Sequence, residues 1–241
     1  MEDYVRQHSA GTLVRSTFRI YGRKFFLLFI SSLIPAVPLI AVQVFRIEPK
    51  YSLIPILLMA LASLLNVAPT TVLISDICVG NEPGLARAYR RAFGKVTGTV
   101  LLTFFLVLVW LVIGSLFLIV PGIVFGCWFM FAIVVAILER TSAREALRRS
   151  RQLGKGHYLR NLGLYILIMV LTWVPMLIVS FIVGAVGALV EAPDSVIRLL
   201  GNFVGLLSAP PLGIVIVLLY YDMRVRSEAY DSTKLAEDLR H

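Results

Sequence analysis

The sequence predicts an all-α integral membrane protein: six transmembrane helices, three cytoplasmic-surface amphipathic helices and an approximate internal threefold repeat. Three observations carry that prediction. The 241-residue chain is 59% hydrophobic and 15% charged, against about 25% charged residues in soluble domains, and its mean hydropathy is +0.87. Its apolar runs approach the roughly 20 residues that a spanning helix needs. Its cations gather in alternate loops: the N-terminal segment, the 76–97 and 139–160 loops and the tail carry 5, 4, 7 and 4 of the 23 Lys and Arg. Arg46, Lys50 and Arg198 lie in the opposite loops.

This composition leaves no room for a soluble catalytic domain of ordinary size. A net charge of +9 would suggest nucleic acid in a soluble protein, but here it is a topology signal, and no nucleic-acid partner is expected. The two cysteines, Cys78 and Cys127, lie far apart and give neither a disulfide framework nor a metal spacing.

Residues 1–24 open the chain as an amphipathic segment. Val14, Thr17, Phe18 and Tyr21 share one face, and Arg15, Arg19 and Arg23 form a cationic stripe at i, i+4, i+8. The segment is polar and no small-residue cleavage site follows the first apolar run, so no cleavable signal peptide is expected. The first span covers roughly 25–45, with Pro35 and Pro38 inside it, and Arg46 to Lys50 form a polar turn. The second covers roughly 52–75, interrupted by Pro55 and Pro69, carries Asn66 and ends at Asp76.

Residues 80–97 repeat the opening. Asn81 and Pro83 signal a helix start; Leu85, Ala88, Tyr89 and Ala92 make the apolar face, and Arg87, Arg91 and Lys95 the stripe. The third span covers roughly 98–119. Val120-Pro121-Gly122 turns the chain without a charge, and the fourth span, roughly 122–138, runs into Glu139.

Glu139 to Arg160 is the fullest copy of the amphipathic element. Ser142 followed three residues later by Glu145 is a capping-box start. Ala143, Ala146, Leu147, Ser150 and Gly154 fall on a small or apolar face, opposite Arg144, Arg148, Arg149 and Arg151. Gly154 and Gly156 end it. Tethered to spans at both ends, such a helix should lie in the headgroup layer. The fifth span covers roughly 162–189, and residues 191–200 read as a polar turn or short surface helix. The sixth, roughly 202–221, is broken by Pro210-Pro211 and closes at Tyr220-Tyr221-Asp222, before a charged tail, 223–241.

One unit thus recurs over about 11–76, 81–139 and 141–222 of a single membrane domain, 1–241: basic amphipathic helix, span, turn, span, acidic residue. Ala88-Tyr89-Arg90-Arg91 aligns with Ala146-Leu147-Arg148-Arg149, and each segment passes through a Gly-Lys pair into the next span. Two-span units keep one orientation, so an axis along the membrane normal would relate them. The cation distribution places both termini and the Arg-rich elements in the cytoplasm, in a multi-pass protein of the cell (inner or plasma) membrane.

Three segments carry a resemblance: Leu118-Ile119-Val120-Pro121-Gly122 followed by Trp128; Leu138-Glu139 with Glu145-Ala146-Leu147-Arg148-Arg149-Ser150, Leu153 and Gly156; and Tyr220-Tyr221-Asp222-Met223-Arg224-Val225-Arg226 with Tyr230-Asp231. Over roughly residues 80–231 the chain resembles the glycerophosphoryl diester phosphodiesterase membrane-domain family. That family takes its name from proteins in which such a module is fused to a phosphodiesterase barrel with a His-Arg-Gly motif and metal-binding carboxylates. None of His8, His157 and His241 is followed by Arg-Gly, so the resemblance implies the membrane module alone, without hydrolase activity.

The residues themselves agree with a non-enzymatic reading. Nothing resembles a nucleophile triad, a Walker loop, a dinucleotide Gly motif or a zinc site, and no cofactor or metal is expected. The stripes Arg15, Arg19, Arg23, Arg87, Arg91, Lys95, Arg144, Arg148 and Arg149 fix topology and seat helices on anionic phospholipid; the sharper alternative is that they cradle lipid phosphates. Asp76, Glu139 and Asp222 sit at helix C-termini, where a carboxylate opposes the helix dipole. Structural ion pairs are their expected role, with proton or ion relay the alternative.

Asn66 and Thr70, one turn apart with Pro69 between, form the most polar mid-span patch, suited to interhelical hydrogen bonds or to a small cavity. Gly122 with Gly126 and Gly201 with Gly205 have the spacing of close helix packing within the chain, or of a dimer seam. Tyr21, Tyr51, Tyr158, Tyr220 and Tyr221 are expected as interface anchors, and Trp110 and Trp173 as inward-facing.

The function expected is a lipid-interacting scaffold or integral subunit of a membrane complex, as a homo-oligomer or beside other membrane subunits. The alternative is a transporter or lipid-translocating module with a crevice among Pro-broken helices. A water-filled crevice reaching Asn66 would favour the transporter, and tight packing there the scaffold.

Overall fold

A computed structural model describes residues 9–44, 53–94, 97–117 and 119–228. Every element is a helix: α1 (Ala10–Arg23), α2 (Phe25–Val44), α3 (Leu53–Val79), α4 (Leu85–Ala92), α5 (Thr97–Phe117), α6 (Ile119–Phe129), α7 (Ala132–Leu138), α8 (Ala143–Gly154), α9 (Tyr158–Leu189), α10 (Asp194–Leu206) and α11 (Ala209–Glu228). Four helical stretches are long and apolar enough to cross a membrane, or five if α1 and α2, bent by 81°, count as one. They are α5, the α6–α7 stretch, α9 and the α10–α11 stretch; α3 adds a shorter apolar segment, Leu64–Val79. The chain is therefore an all-helical protein compatible with a multi-pass membrane location.

The helix ends follow their caps. The Thr12 amide donates to the Ser9 hydroxyl at 3.3 Å, and the Glu145 amide donates to the Ser142 hydroxyl at 3.4 Å. Each bond satisfies one of the first-turn N–H groups that have no helical partner. At the far end of α3, Gly80 at φ 82 closes a left-handed stop, its amide bonded to the Ile77 carbonyl and the Asn81 amide to the Asp76 carbonyl. Helix α9 stops in the same manner with Glu191 at φ 50.

Helix α11 is the centre of the fold. Its residues from Val217 to Met223 are buried without interruption, because α1, α2, α3, α8, α9 and α10 all pack against it. A helix apolar around its whole circumference needs such a wrapping. The core around it includes Leu13, Ile20, Ile74, Phe131, Val135 and Ile168. By contrast α9 buries only Asn161, Leu164, Ile168, Thr172 and Gly187 along its length. It presents an apolar outer face suited to lipid.

The apolar faces of the three basic helices are taken up by the bundle. Leu13, Thr17 and Ile20 of α1 are buried, as are Ala88 and Ala92 of α4, and Ala143, Ala146, Ser150, Leu153 and Gly154 of α8. Their apolar faces thus pack on protein.

Several boundaries differ from the sequence reading. Val120-Pro121-Gly122 lies in the first turn of α6 and forms no loop of its own, since a first-turn proline removes no helical hydrogen bond. The fourth span is two helices, interrupted at Met130 and Phe131. Residues 191–200 lead into the full helix α10, whose break from α11 falls at Leu207 and Ser208. Pro210 and Pro211 begin α11, again in a first turn. Helix α11 then continues to Glu228, so Met223 to Glu228 belong to the core helix, not to a solvated tail. Helix α4 starts at Leu85, after a Gly84 cap, rather than at Asn81 or Pro83.

The aromatic assignments change as well. Tyr220 and Tyr221 are fully buried, not interfacial. Trp110 and Trp173 are 40% and 49% exposed rather than inward-facing, because α5 and α9 are peripheral. Gly122 meets Gly114 closely enough that a Cβ on Gly114 would stand 2.9 Å from the Gly122 Cα, whereas nothing faces Gly201 or Gly205 within 4 Å. Arg46, Lys50, Tyr51, Lys95 and the tail beyond 228 lie outside the described residues.

Candidate functional site

Six helices leave a crevice of about 390 Å³ between them. Ser32, Pro35 and Ala36 of α2 line it, with Ala62, Asn66, Val67, Thr70 and Thr71 of α3, Val134 of α7 and Tyr165 of α9. Leu206 of α10 and Ala209, Leu212, Gly213 and Ile216 of α11 complete the wall. The site therefore lies at the α10–α11 break and beside the proline-bearing stretches of α2 and α3. Asn66 and Thr70, the polar patch expected from the sequence, both line it.

Most of the wall is apolar, with the polar groups concentrated on α2 and α3. The Thr70 hydroxyl donates to Asn66 Oδ1 at 3.5 Å and stands 3.4 Å from the Ser31 hydroxyl, which ties α3 to α2. The Thr71 hydroxyl is engaged by its own helix, donating to the Val67 carbonyl at 2.8 Å. Ser32 is 0% exposed and its Oγ has no hydrogen-bond partner. Among the described residues, no Asp, Glu, Lys, Arg or His lines the crevice.

The break above it is stabilised by a residue distant in sequence. Pro211 cannot supply the N–H that would satisfy the Leu207 carbonyl, and the Tyr21 hydroxyl of α1 donates to that carbonyl at 3.0 Å. The Ser208 hydroxyl closes the last turn of α10 by donating to the Gly205 carbonyl at 2.6 Å. At the α6–α7 interruption Ser150 of α8 acts alone: its hydroxyl donates to the Trp128 carbonyl at 2.8 Å and accepts from the Phe131 amide at 3.1 Å.

A second polar region lies where α7, α8 and α11 meet. Glu139, the residue after α7, accepts from Arg149 Nε at 3.2 Å and from the Tyr220 hydroxyl at 2.9 Å. Arg149 also pairs with Glu228, and Arg224 pairs with Glu228 at 3.2 Å and lies 4.0 Å from Glu139. Burial works against the Arg149 charge, but the Glu139 and Glu228 carboxylates outweigh it and hold its pKa above the ordinary value. Asp222, fully buried, receives Arg160 at 2.7 Å and Arg226 at 3.0 Å on one oxygen.

Asp76 is arranged differently. It is buried, its Oδ2 has no hydrogen-bond partner, and the nearby charges of Arg91 and Arg87 act on it without a contact ion pair. Of the cationic residues, Arg149 is thus turned inward, and Arg91 is half-buried with its Nε unpartnered. Arg15, Arg19, Arg23, Arg87, Arg144 and Arg148 stay exposed, Arg148 in an i, i+3 pair with Glu145 at 2.8 Å.

Sequence reasoning missed Ser32, Tyr165 and Arg160 as site residues. Pro35, three residues after Ser32, was the signal available for the first. No local signal marks Arg160, which meets Asp222 only through the packing of α9 on α11. Among the described residues, no three His, Cys, Asp or Glu side chains converge on a possible metal position. No protein-family model matches the chain, and no curated protein and no solved structure matches it.

Proposed function

We propose that this chain is a non-enzymatic membrane module that admits an amphiphile of lipid chemistry among its interrupted helices, and so serves as a transport or lipid-translocating component. The observation that carries the reading is the crevice of about 390 Å³ that reaches Asn66 at a broken helix. A solid scaffold would close that space, because an unfilled cavity loses packing contacts on every wall. Interrupted helices are tolerated at membrane depth where they line a cavity, and broken helices near the midplane recur in transporters.

The proposal includes six spans in a cell membrane with both termini cytoplasmic, the three-unit repeat, and membership of the glycerophosphoryl diester phosphodiesterase membrane-domain family without its barrel. The helix order supports the repeat: a short basic helix precedes a long apolar one at α1–α2, α4–α5 and α8–α9. The exposed Arg15, Arg87 and Arg144 support a cytoplasmic face seated on anionic phospholipid, each worth about 1 kcal/mol near such a surface. They also favour the second reading, a scaffold acting through that face.

Reconstitution into liposomes separates the two. With fluorescent lipids of neutral or anionic headgroup in the bilayer, the wild-type chain should accelerate exchange of at least one between leaflets. Ala36→Phe, which fills the crevice, should return the rate to that of protein-free vesicles. No acceleration for either lipid would discard translocation and leave the scaffold.

A further inference from the structure

The crevice is uncharged, and that narrows what it can take. A charged headgroup entering it would leave water without meeting a counter-ion, a cost of several kcal/mol. The polar groups present are hydroxyls and an amide. The Ser32 hydroxyl is buried and unpartnered, and a buried hydroxyl in that state lacks a bond worth making. The Asn66 amide lines the same space and carries both an N–H donor and a carbonyl acceptor. The site therefore offers both a donor and an acceptor, which a ligand hydroxyl satisfies together and a simple ester or ketone does not.

Size limits the remainder of the ligand. The volume of about 390 Å³ lies near the lower end of the roughly 300–1,000 Å³ found for small-molecule pockets. That suits one acyl chain better than the two chains of a membrane phospholipid. Pro35, Ala36, Leu212 and Ile216 supply the apolar wall for that chain.

We infer that the crevice binds one uncharged, single-chain amphiphile with a hydroxyl-bearing end, the hydroxyl at Ser32 and Asn66 and the chain along α2 and α11. This rests on the proposed function and adds the ligand class to it. The site discriminates by headgroup charge, so a long-chain alcohol or monoacylglycerol enters and a fatty-acid anion does not.

The test is native mass spectrometry of the full chain titrated with three probes: 1-monooleoylglycerol, methyl oleate and oleate. Monooleoylglycerol should form a one-to-one adduct, with methyl oleate and oleate each binding at least tenfold more weakly. Ser32→Ala should weaken the monooleoylglycerol adduct severalfold and leave the thermal midpoint unchanged, since the hydroxyl it removes makes no bond within the protein. Oleate binding as tightly as monooleoylglycerol would overturn the charge selection, and methyl oleate doing so would overturn the role of the hydroxyl; both outcomes leave the proposed function standing. An adduct undiminished in Ala36→Phe, or in Leu212→Phe should the first fail to fold, would place binding elsewhere and defeat both.

Discussion

Tyr89 of α4 donates its hydroxyl to the Ser31 carbonyl of α2 at 3.2 Å, the carbonyl that Pro35, four residues on, cannot satisfy. The same relation holds between Tyr21 of α1 and the Leu207 carbonyl ahead of Pro211. Ser150 of α8 serves the α6–α7 interruption from both sides. Each basic amphipathic helix thus supplies one hydroxyl to a backbone interruption in an apolar helix. Tyr21→Phe, Tyr89→Phe and Ser150→Ala should each lower stability by about 1–3 kcal/mol, the cost of a buried group left unpaired. Ser150→Ala should cost most, because it frees two groups. Tyr158→Phe removes a bond to the Arg151 carbonyl at the exposed edge and should cost less. Thermal unfolding in one detergent would check the order, and equal effects at all four positions would refute it.

The contacts of Glu139 with Arg149, Arg224 and Tyr220 join α7, α8 and α11. Breaking a buried pair by removing one partner costs about 3–5 kcal/mol. Here Arg149 is 26% exposed and keeps Glu228, so Glu139→Gln should cost less, about 2 kcal/mol. Glu139→Leu also leaves the Tyr220 hydroxyl without its acceptor, though Arg224 still donates to it, and should exceed that cost. High salt should leave both differences nearly unchanged, since partly buried pairs are weakly screened. A loss that disappears in salt would show the lattice to be a surface feature.

What the sequence reveals here is local and periodic. The cap at Ser142, the end of α8 at Gly154, the apolar faces of the basic helices and the polar patch at Asn66 all follow from neighbours within a turn or two. The interior position of α11 does not. Its run from Ile214 to Leu219 is as apolar as a lipid-facing helix, and only the six helices around it distinguish the two environments. Hydropathy also ended that span at Asp222, because charged residues follow it. Arg224 and Arg226 stay in the helix through i, i+4 pairs with Glu228 and Asp222, and Arg224 also approaches Glu139, 85 residues away in sequence. Arg149 lies about 100° around the helix from Arg148 and about 160° from Arg151, so its departure from their face is periodic and legible; its partner Glu139 is not, because it reaches Arg149 only through the fold.

Glu191 and Gly80 occupy equivalent positions in two left-handed helix stops, at φ 50 and φ 82. A side chain in that conformation costs about 1–2 kcal/mol that glycine avoids. Glu191 is exposed, so its replacement leaves no cavity. Glu191→Gly should therefore stabilise the protein by about 1 kcal/mol, read as a rise in the thermal midpoint, while Gly80→Ala should destabilise it by a similar amount. Both variants moving the midpoint the same way would rule out the shared conformation as the cause.

The proposed orientation places the turns before α4 and α8 on one side of the membrane and the α9–α10 turn on the other. Ser142 and Asn81 are exposed in the first two turns, and Ala192 is half-buried in the third. The native Cys78 and Cys127 are both buried, so an engineered cysteine can be read against a quiet background. In intact cells a membrane-impermeant thiol reagent should label Ala192→Cys and spare Asn81→Cys and Ser142→Cys. After the membrane is opened all three should react, which shows that the unlabelled two were shielded by the bilayer rather than by the fold. The distribution of Lys and Arg across the loops requires this asymmetry. Labelling of Ser142→Cys from outside would reverse it and remove the cytoplasmic face on which the anionic-lipid seat of Arg15, Arg87 and Arg144 depends.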